Sequence, residues 1–303
     1  MGKILNIGSL NIDHVYTVGH FVQPGETLPS QRYEVFPGGK GLNQSIALAQ
    51  AGGTVFHAGM IGADGAWLLD LMREKSVDVS RVEVSSGVTG HAVIQVNAQG
   101  QNCILLHRGA NGEITEGLLR RALDGFGPGD LLLLQNEVNC TAEAMRLAHE
   151  RGVRIALNPS PCDGQVAAYP LELVDWFLLN EVEGCQLTGE TEPERIAARM
   201  REQFPRAKIV LTLGQDGSLY CAAGQTIRQE IYRVPVVDTT AAGDTFTGYF
   251  LASIARGEPP RDALRLASAA SALAVSRKGA AVSIPSFYDA HRAACGGPAA
   301  QES

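Results

Sequence analysis

Residues 131–158 read LLLLQNEVNCTAEAMRLAHERGVRIALN, and this stretch decides the fold class. It opens on a short uninterrupted apolar run, 131–135, the pattern of a strand buried on both faces. Ten residues with helical spacing follow, 141–150, and then a second β-rich run, 154–158. Strand, helix and strand in that order predict a parallel pair joined by a crossover helix.

The same alternation extends in both directions. Further buried strands are predicted at 3–8, 55–60, 176–179 and 208–213, and helices at 42–51, 66–74, 115–123 and 192–203. This is an α/β chain: a three-layer α/β/α arrangement with a mostly parallel central sheet. Two regions, about 14–35 and 89–108, carry strand patterning with no helix between their strands. In the second, alternating residues from Val93 to Ala98 lead into a Gln99-Gly100 turn. They are expected to pair into a small β-sheet that acts as a lid over a site. After Val237 the chain turns helical, at 243–256, 260–277 and about 286–294, and residues 296–303 are small and polar and expected to fray. Residues 1–303 are read as one α/β domain carrying that lid.

Bulk properties narrow the function. The chain has 303 residues, 45% hydrophobic and 19% charged, with a net charge of −7. That balance supports a sizeable core and argues against coating nucleic acid. No apolar stretch is long enough to cross a membrane. The six cysteines form no C-x-x-C pair, so neither zinc nor a disulfide framework is indicated. Reduced thiols in a cytoplasmic protein are expected.

The strongest chemical signal is Asp238-Thr239-Thr240-Ala241-Ala242-Gly243-Asp244-Thr245-Phe246, where small residues precede a helix start that carries a carboxylate. The unpaired amides of Ala241, Ala242 and Gly243 would offer donors and a favourable dipole to a phosphoryl group. Asp244 would stand close enough to take a proton from an attacking hydroxyl. Taken alone, Asp244 also reads as a plain helix cap. The second signal is Pro37-Gly38-Gly39-Lys40-Gly41-Leu42-Asn43-Gln44. It is not a Walker A loop, because Gly41 follows the lysine where Ser or Thr is required. Asn43 can donate and accept, which suits a polyhydroxylated substrate; a tight strand–helix turn is the competing reading. Asn11-Ile12-Asp13 follows the first strand, where α/β folds bind ligands, although a turn-forming Asp reads as well there. Asn180-Glu181-Val182-Glu183 and Thr212-Leu213-Gly214-Gln215-Asp216-Gly217 each follow a strand. Glu183 could bind hydrated Mg²⁺, and the glycine turn could receive part of a nucleotide; surface turns are the alternative for both. The seven histidines are dispersed and carry no assigned role.

Together these motifs resemble, in order and over nearly the whole chain, the ribokinase/phosphofructokinase-B family of carbohydrate kinases. Gly38-Gly39-Lys40-Gly41 with Asn43 is similar to its N-terminal signature, 238–244 to its C-terminal one, and Asn180 to Glu183 to its N-x-x-E motif. The resemblance implies a ribokinase-like fold and ATP-dependent phosphorylation of a sugar, the 5-hydroxyl of D-ribose among its ribose-specific members. It implies that Asn11, Asp13, Gly39, Lys40, Gly41, Asn43 and Glu137 hold the sugar. Asn180, Thr212 to Gly217, Gly243 and Ser268 would line the ATP site, and Ala241, Ala242, Gly243 and Asp244 would form the anion hole and base. It further implies Mg²⁺ with the ATP and an activating K⁺ at Asp238, Thr240, Ala274, Arg277, Gly279 and Ser283, mostly through backbone carbonyls. A homodimer through the lid is expected, with no nucleic-acid or membrane partner. Leu42 and Arg108 depart from the common family pattern. The alternatives are the same chemistry on deoxyribose, fructose, a fructose phosphate or a nucleoside, or a non-catalytic regulator on the same fold.

Overall fold

The computed structural model describes residues 2–296. Its main sheet has nine strands: β1 (Ile4–Ile7), β4 (Val55–Ile61), β5 (Asp78–Val84), β8 (Leu131–Gln135), β9 (Arg154–Asn158), β10 (Trp176–Asn180), β11 (Lys208–Thr212), β12 (Ser218–Ala222) and β13 (Gln225–Gln229). Their spatial order is β13-β12-β11-β10-β9-β8-β1-β4-β5. All neighbours are parallel except at one edge, where β12 pairs antiparallel with β11 and β13.

The run Leu131–Leu134 explains the layering. Leu131 and Leu133 join one apolar cluster, Leu132 and Leu134 the other, so each strand residue feeds the opposite face from its neighbour. The first cluster is closed by α1 (Lys40–Gln50), α2 (Ala66–Glu74), α7 (Ala242–Ala255), α8 (Pro260–Val275) and α9 (Phe287–Cys295). The second is closed by α3 (Glu116–Ala122), α4 (Thr141–Glu150) and α6 (Pro193–Gln203), beside α5 (Glu181–Thr188). Helix α7 is buried from Asp244 to Ser253, as expected of a helix apolar on nearly every side.

A separate four-stranded sheet has the order β3-β2-β6-β7, with β2 (Asn11–Thr17), β3 (Arg32–Gly38), β6 (Gly90–Val96) and β7 (Asn102–His107). Its strands begin earlier than the 14–35 reading suggests: Asn11, Ile12 and Asp13 are not a turn but the first residues of β2, paired with Gly38, Pro37 and Phe36 of β3. The sheet rows are informative. Phe36, Asp13, Ala92 and Leu106 stand opposite one another on one face, and Val35, His14, Val93 and Leu105 on the other. The expected turn after β6 is present, with Asn97 Oδ1 accepting from the amides of Gln99 and Gln101. Strands β5, β12 and β13 and helix α5 were not expected from the sequence. Of these, β5 and β13 are the two sheet edges, where polar alternation replaces the buried apolar run, and β12 is a short buried strand between β11 and β13.

Candidate active site

Four adjacent parallel strands end on a polar residue: Gln135 on β8, Asn158 on β9, Asn180 on β10 and Thr212 on β11. They sit in register, Gln135 beside Asn158 and Asn180 beside Thr212. Carboxyl ends of parallel strands are where open α/β sheets form ligand crevices. A cleft of about 230 Å³ opens there, lined by Lys40, Asn158, Asn180, Glu183, Thr212 and the 239–247 turn, including Gly243 and Asp244.

Helices α1 and α7 bring the two signature motifs together across this cleft. Asn43 Nδ2 donates to Asp244 Oδ2 at 3.0 Å, and Gln44 Nε2 donates to Asp244 Oδ1 at 2.8 Å. The helices can approach this closely because position 248 is glycine. A methyl group there would lie 2.4 Å from Ala47 Cβ and 2.7 Å from the Leu48 amide nitrogen. Asp244 is buried, yet it faces the cleft. Asn43 Oδ1 is buried without a hydrogen-bond partner, an acceptor that a ligand hydroxyl would satisfy.

At the start of α7 the amide of Ala242 donates to the Thr239 carbonyl at 3.2 Å. The expected set of donors is therefore shifted by this contact: among the described residues, the amides of Ala241, Gly243 and Asp244 make no hydrogen bond, and they are the groups free to meet an anion. Ala241 precedes the helix at φ 60°, in the left-handed region that a side chain disfavours by about 1–3 kcal/mol. The contact from α8 to this turn is Ser271 Oγ to the Ala242 carbonyl at 3.0 Å; Ser268 lies buried one turn earlier on α8.

Residues expected to hold the sugar gather around Lys40. Glu137 Oε2 accepts from the Lys40 amide at 2.9 Å and from the Ser9 hydroxyl. Burial disfavours the Lys40 ammonium, but Asp244, Glu137 and Glu183 around it more than offset this and hold its pKa above the ordinary lysine value. Burial raises Glu137, against the opposing pull of Lys40 and Ser9. Burial and the neighbouring Glu137 raise Asp13 to about 6. Gly38 is required beside the Asp13 side chain, since a methyl group there would fall 2.2 Å from Asp13 Oδ2. Gly39 forms the N-cap of α1, and the Gly41 amide donates to Ser9 Oγ at 3.2 Å. Asn11 is occupied structurally, its Oδ1 accepting from Asn111 Nδ2 at 2.7 Å.

Of the residues expected to meet the nucleotide and its metal, Asn180 and Glu183 form a reciprocal capping box at the start of α5. Asn180 Oδ1 accepts from the Glu183 amide at 2.9 Å, and Glu183 Oε2 from the Asn180 amide at 3.0 Å. The Asn-x-x-Glu spacing thus has a helix-starting job, whatever else these side chains hold. Thr212 lines the cleft, while Leu213 to Gly217 make a tight turn closed by the Leu213 amide to the Gly217 carbonyl at 2.8 Å.

The six residues expected around a monovalent cation belong to two segments that dock on each other. Asp238 Oδ1 accepts from the Thr240 amide at 2.9 Å and its Oδ2 from the Gly279 amide at 2.9 Å. The Ala274 carbonyl accepts from the Arg277 amide at 3.1 Å, and buried Ser283 donates to the Ala280 carbonyl at 2.8 Å. Burial opposes the Asp238 carboxylate, and the Thr240 and Gly279 donors with Lys278 outweigh that and lower its pKa. Among the described residues no cluster of three or more His, Cys, Asp or Glu is arranged to hold a metal, all six cysteines are free, and no helix is long and apolar enough to cross a membrane.

Sequence reasoning assigned no role to Gln44, Gln135, Asn158 or Ser9. The signal was present: polar residues at the carboxyl ends of apolar strands, and Asn43-Gln44 inside a helix buried from Gly41 to Leu48.

Comparison with known proteins agrees with this arrangement. The chain matches the pfkB family carbohydrate kinases over residues 1–286. It is 36% identical over 295 residues to a ribokinase of Haemophilus influenzae, covering 94% of this chain and 96% of the relative. Its fold is similar to a Cryptococcus neoformans ribokinase solved with ADP, at a TM-score of 0.86 and 32% identity, covering 96% of this chain and 99% of that one. It is also similar to an Arabidopsis thaliana ribokinase solved with ribose and ATP, at a TM-score of 0.83 and 28% identity, covering 97% and 99%. With the matched segment spanning both signature motifs and the cleft between them, the chain belongs to the pfkB family of carbohydrate kinases.

Proposed function

We propose that the protein transfers the γ-phosphoryl group of ATP to the 5-hydroxyl of D-ribose. The observation that carries this reading is the Asp244 carboxylate, held by Asn43 and Gln44 at the free-amide end of α7 and facing the cleft. Asp13 and Asn43 hold the sugar hydroxyls, with Glu137, Lys40 and the backbone of Gly39 and Gly41 completing that side. Asp244 takes the proton of the terminal hydroxyl as its oxygen attacks phosphorus in line with the leaving ADP oxygen. The free amides of Ala241, Gly243 and Asp244 receive charge on the transferred group, aided by the helix dipole. Asn180, the turn from Thr212 to Gly217 and Ser268 line the nucleotide side.

Cation chemistry fits the donors present. A single carboxylate, Glu183, suits a Mg²⁺ that travels with the ATP phosphates and meets the protein through water, where it neutralises phosphate charge. Asp238, Thr240, Ala274, Arg277, Gly279 and Ser283 would hold K⁺, chiefly through carbonyl oxygens, and so order the turn before Gly243.

The small sheet is read as a lid that closes over the sugar and excludes water, and the chain, residues 1–303, as one domain that carries it. Tyr33, Val35 and Leu105 leave one face of it an exposed apolar surface, which a second copy of the chain would cover. Six free thiols suit a cytoplasmic setting.

A kinase panel of ribose, deoxyribose, fructose, fructose 6-phosphate and adenosine, run with Mg²⁺-ATP with and without K⁺, tests the reading. Ribose is expected to give the highest kcat/KM and K⁺ to raise it. Preference for another acceptor would reassign the substrate, and sugar binding with no ADP release would make the protein a regulator.

A further inference from the structure

The base is attached to a buried amide network that runs through the centre of the molecule. Gln44 Nε2 donates to Asp244 Oδ1 at 2.8 Å and to Asn158 Oδ1 at 2.9 Å. Its own Oε1 accepts from Gln135 Nε2 at 2.7 Å. Gln135 Nε2 donates also to Asn6 Oδ1 at 3.0 Å, and Asn6 Nδ2 donates to the Gly41 carbonyl and to Ser45 Oγ, both at 2.8 Å. Ser45 Oγ, which accepts from Asn6, also hydrogen-bonds with His57 Nδ1 at 2.8 Å. Asn6, Gln44, Ser45 and His57 have no solvent exposure at all, and Gln135 has 1%.

The orientation of each amide in this network is determined. A side-chain amide can be turned end for end, and only its partners decide which end is oxygen. At one end the Gly41 carbonyl accepts only a donor, so Asn6 must present its NH₂ there and its oxygen to Gln135. At the other end Asn158 Nδ2 donates to the Leu178 carbonyl at 2.8 Å, so Asn158 must present its oxygen to Gln44. Both constraints give one result: Gln44 turns its NH₂ toward Asp244. Both of its N–H groups are then used, as are those of Gln135 and Asn6.

We infer that Gln44 is a positioning residue for Asp244, its NH₂ locked toward the carboxylate by a network that two main-chain carbonyls anchor from opposite ends. The inference rests on the reading of Asp244 as the base. Aimed N–H donors from Asn43 and Gln44 keep the carboxylate an acceptor and set the direction of its remaining lone pairs toward the cleft. Lys40 and Glu137 are the charged groups that face it from α1 and from the segment after β8. A buried network without that role would add only stability and a unique core.

Gln44→Glu conserves size and replaces the aimed donor with an acceptor. In the full-length protein, kcat is expected to fall about 10- to 100-fold through misplacement of the base. KM for ATP should be unchanged, and the acid limb of the kcat–pH profile should move upward, because two touching carboxylates resist joint ionisation. Gln44→Met, neutral and similar in volume, is the second variant should the charged one fail to fold; it too should lose kcat at constant KM for ATP. Cooperative thermal unfolding and ADP binding establish that each variant is folded. A folded Gln44 variant with the parent's kcat and acid limb overturns the inference. Asp244→Asn measured alongside separates the two levels. If it is inactive while both Gln44 variants are normal, only the positioning role is lost; if it is active, the base reading itself is lost.

Discussion

Asp13 shows how one residue can be costly in the fold and useful in the site. Burial and the nearby Glu137 hold its carboxyl up at about 6, above the ordinary 3.8. Between those values the unfolded chain ionises at this group while the folded chain keeps the proton. Its contribution to stability is therefore complete below 3.8 and falls as pH rises toward about 6. The ionised form is also the one that would accept the hydroxyl protons of a bound sugar. Sugar affinity is expected to strengthen as pH rises through about 6, while thermal stability loses this group's contribution over the same window. Calorimetric titrations and melting curves of the parent and Asp13→Asn across that window check both effects. Parallel pH dependences in the two proteins would remove Asp13 from either role. Asn43 is complementary: its NH₂ serves Asp244 and its buried oxygen has no partner, so one amide can face both Asp244 and a ligand hydroxyl.

At the scale of elements, what the sequence revealed depended on burial. The central strands 131–135 and 154–158 and the helices 66–74 and 141–150 coincide with the observed elements, because the strands carry short apolar runs and the helices an apolar face at helical spacing. The edge strands β5 and β13 escaped notice because most of their residues are not buried, which dilutes that signal, whereas β12 is buried but reads Ser-Leu-Tyr-Cys-Ala, with no aliphatic run to mark it. Asp13 read as a turn residue because Asn and Asp favour turns; strand pairing with β3 overrides that local preference. The small sheet illustrates strand alternation directly. Asp13 and Leu106 point one way, whereas Leu105, 71% exposed, points the other. Leu105→Asp should therefore convert a dimer to a monomer without unfolding it, since it puts a charge on an outer apolar face. Sedimentation equilibrium distinguishes the outcomes: a parent chain already monomeric at micromolar concentration would contradict pairing through this sheet.

Across the whole molecule, the fold works by convergence. The parallel strands deliver Gln135, Asn158, Asn180 and Thr212 to one edge, α1 delivers Lys40, Asn43 and Gln44, and α7 delivers free amides and Asp244. The two motifs, 201 residues apart in sequence, could be read individually as a glycine turn and a helix cap. Nothing in local spacing indicates that they meet, because that contact depends on the packing of α1 against α7 at Gly248. The polar network beneath them was hidden for the same reason: its members come from six separate elements. The account stands on Asp244 acting as the base between sugar and nucleotide. Turnover of Asp244→Asn, with sugar and ATP binding measured by calorimetry on the same preparation, tests it most directly. The account predicts that both ligands still bind while kcat falls about 10²- to 10⁴-fold; near-parental turnover would contradict it.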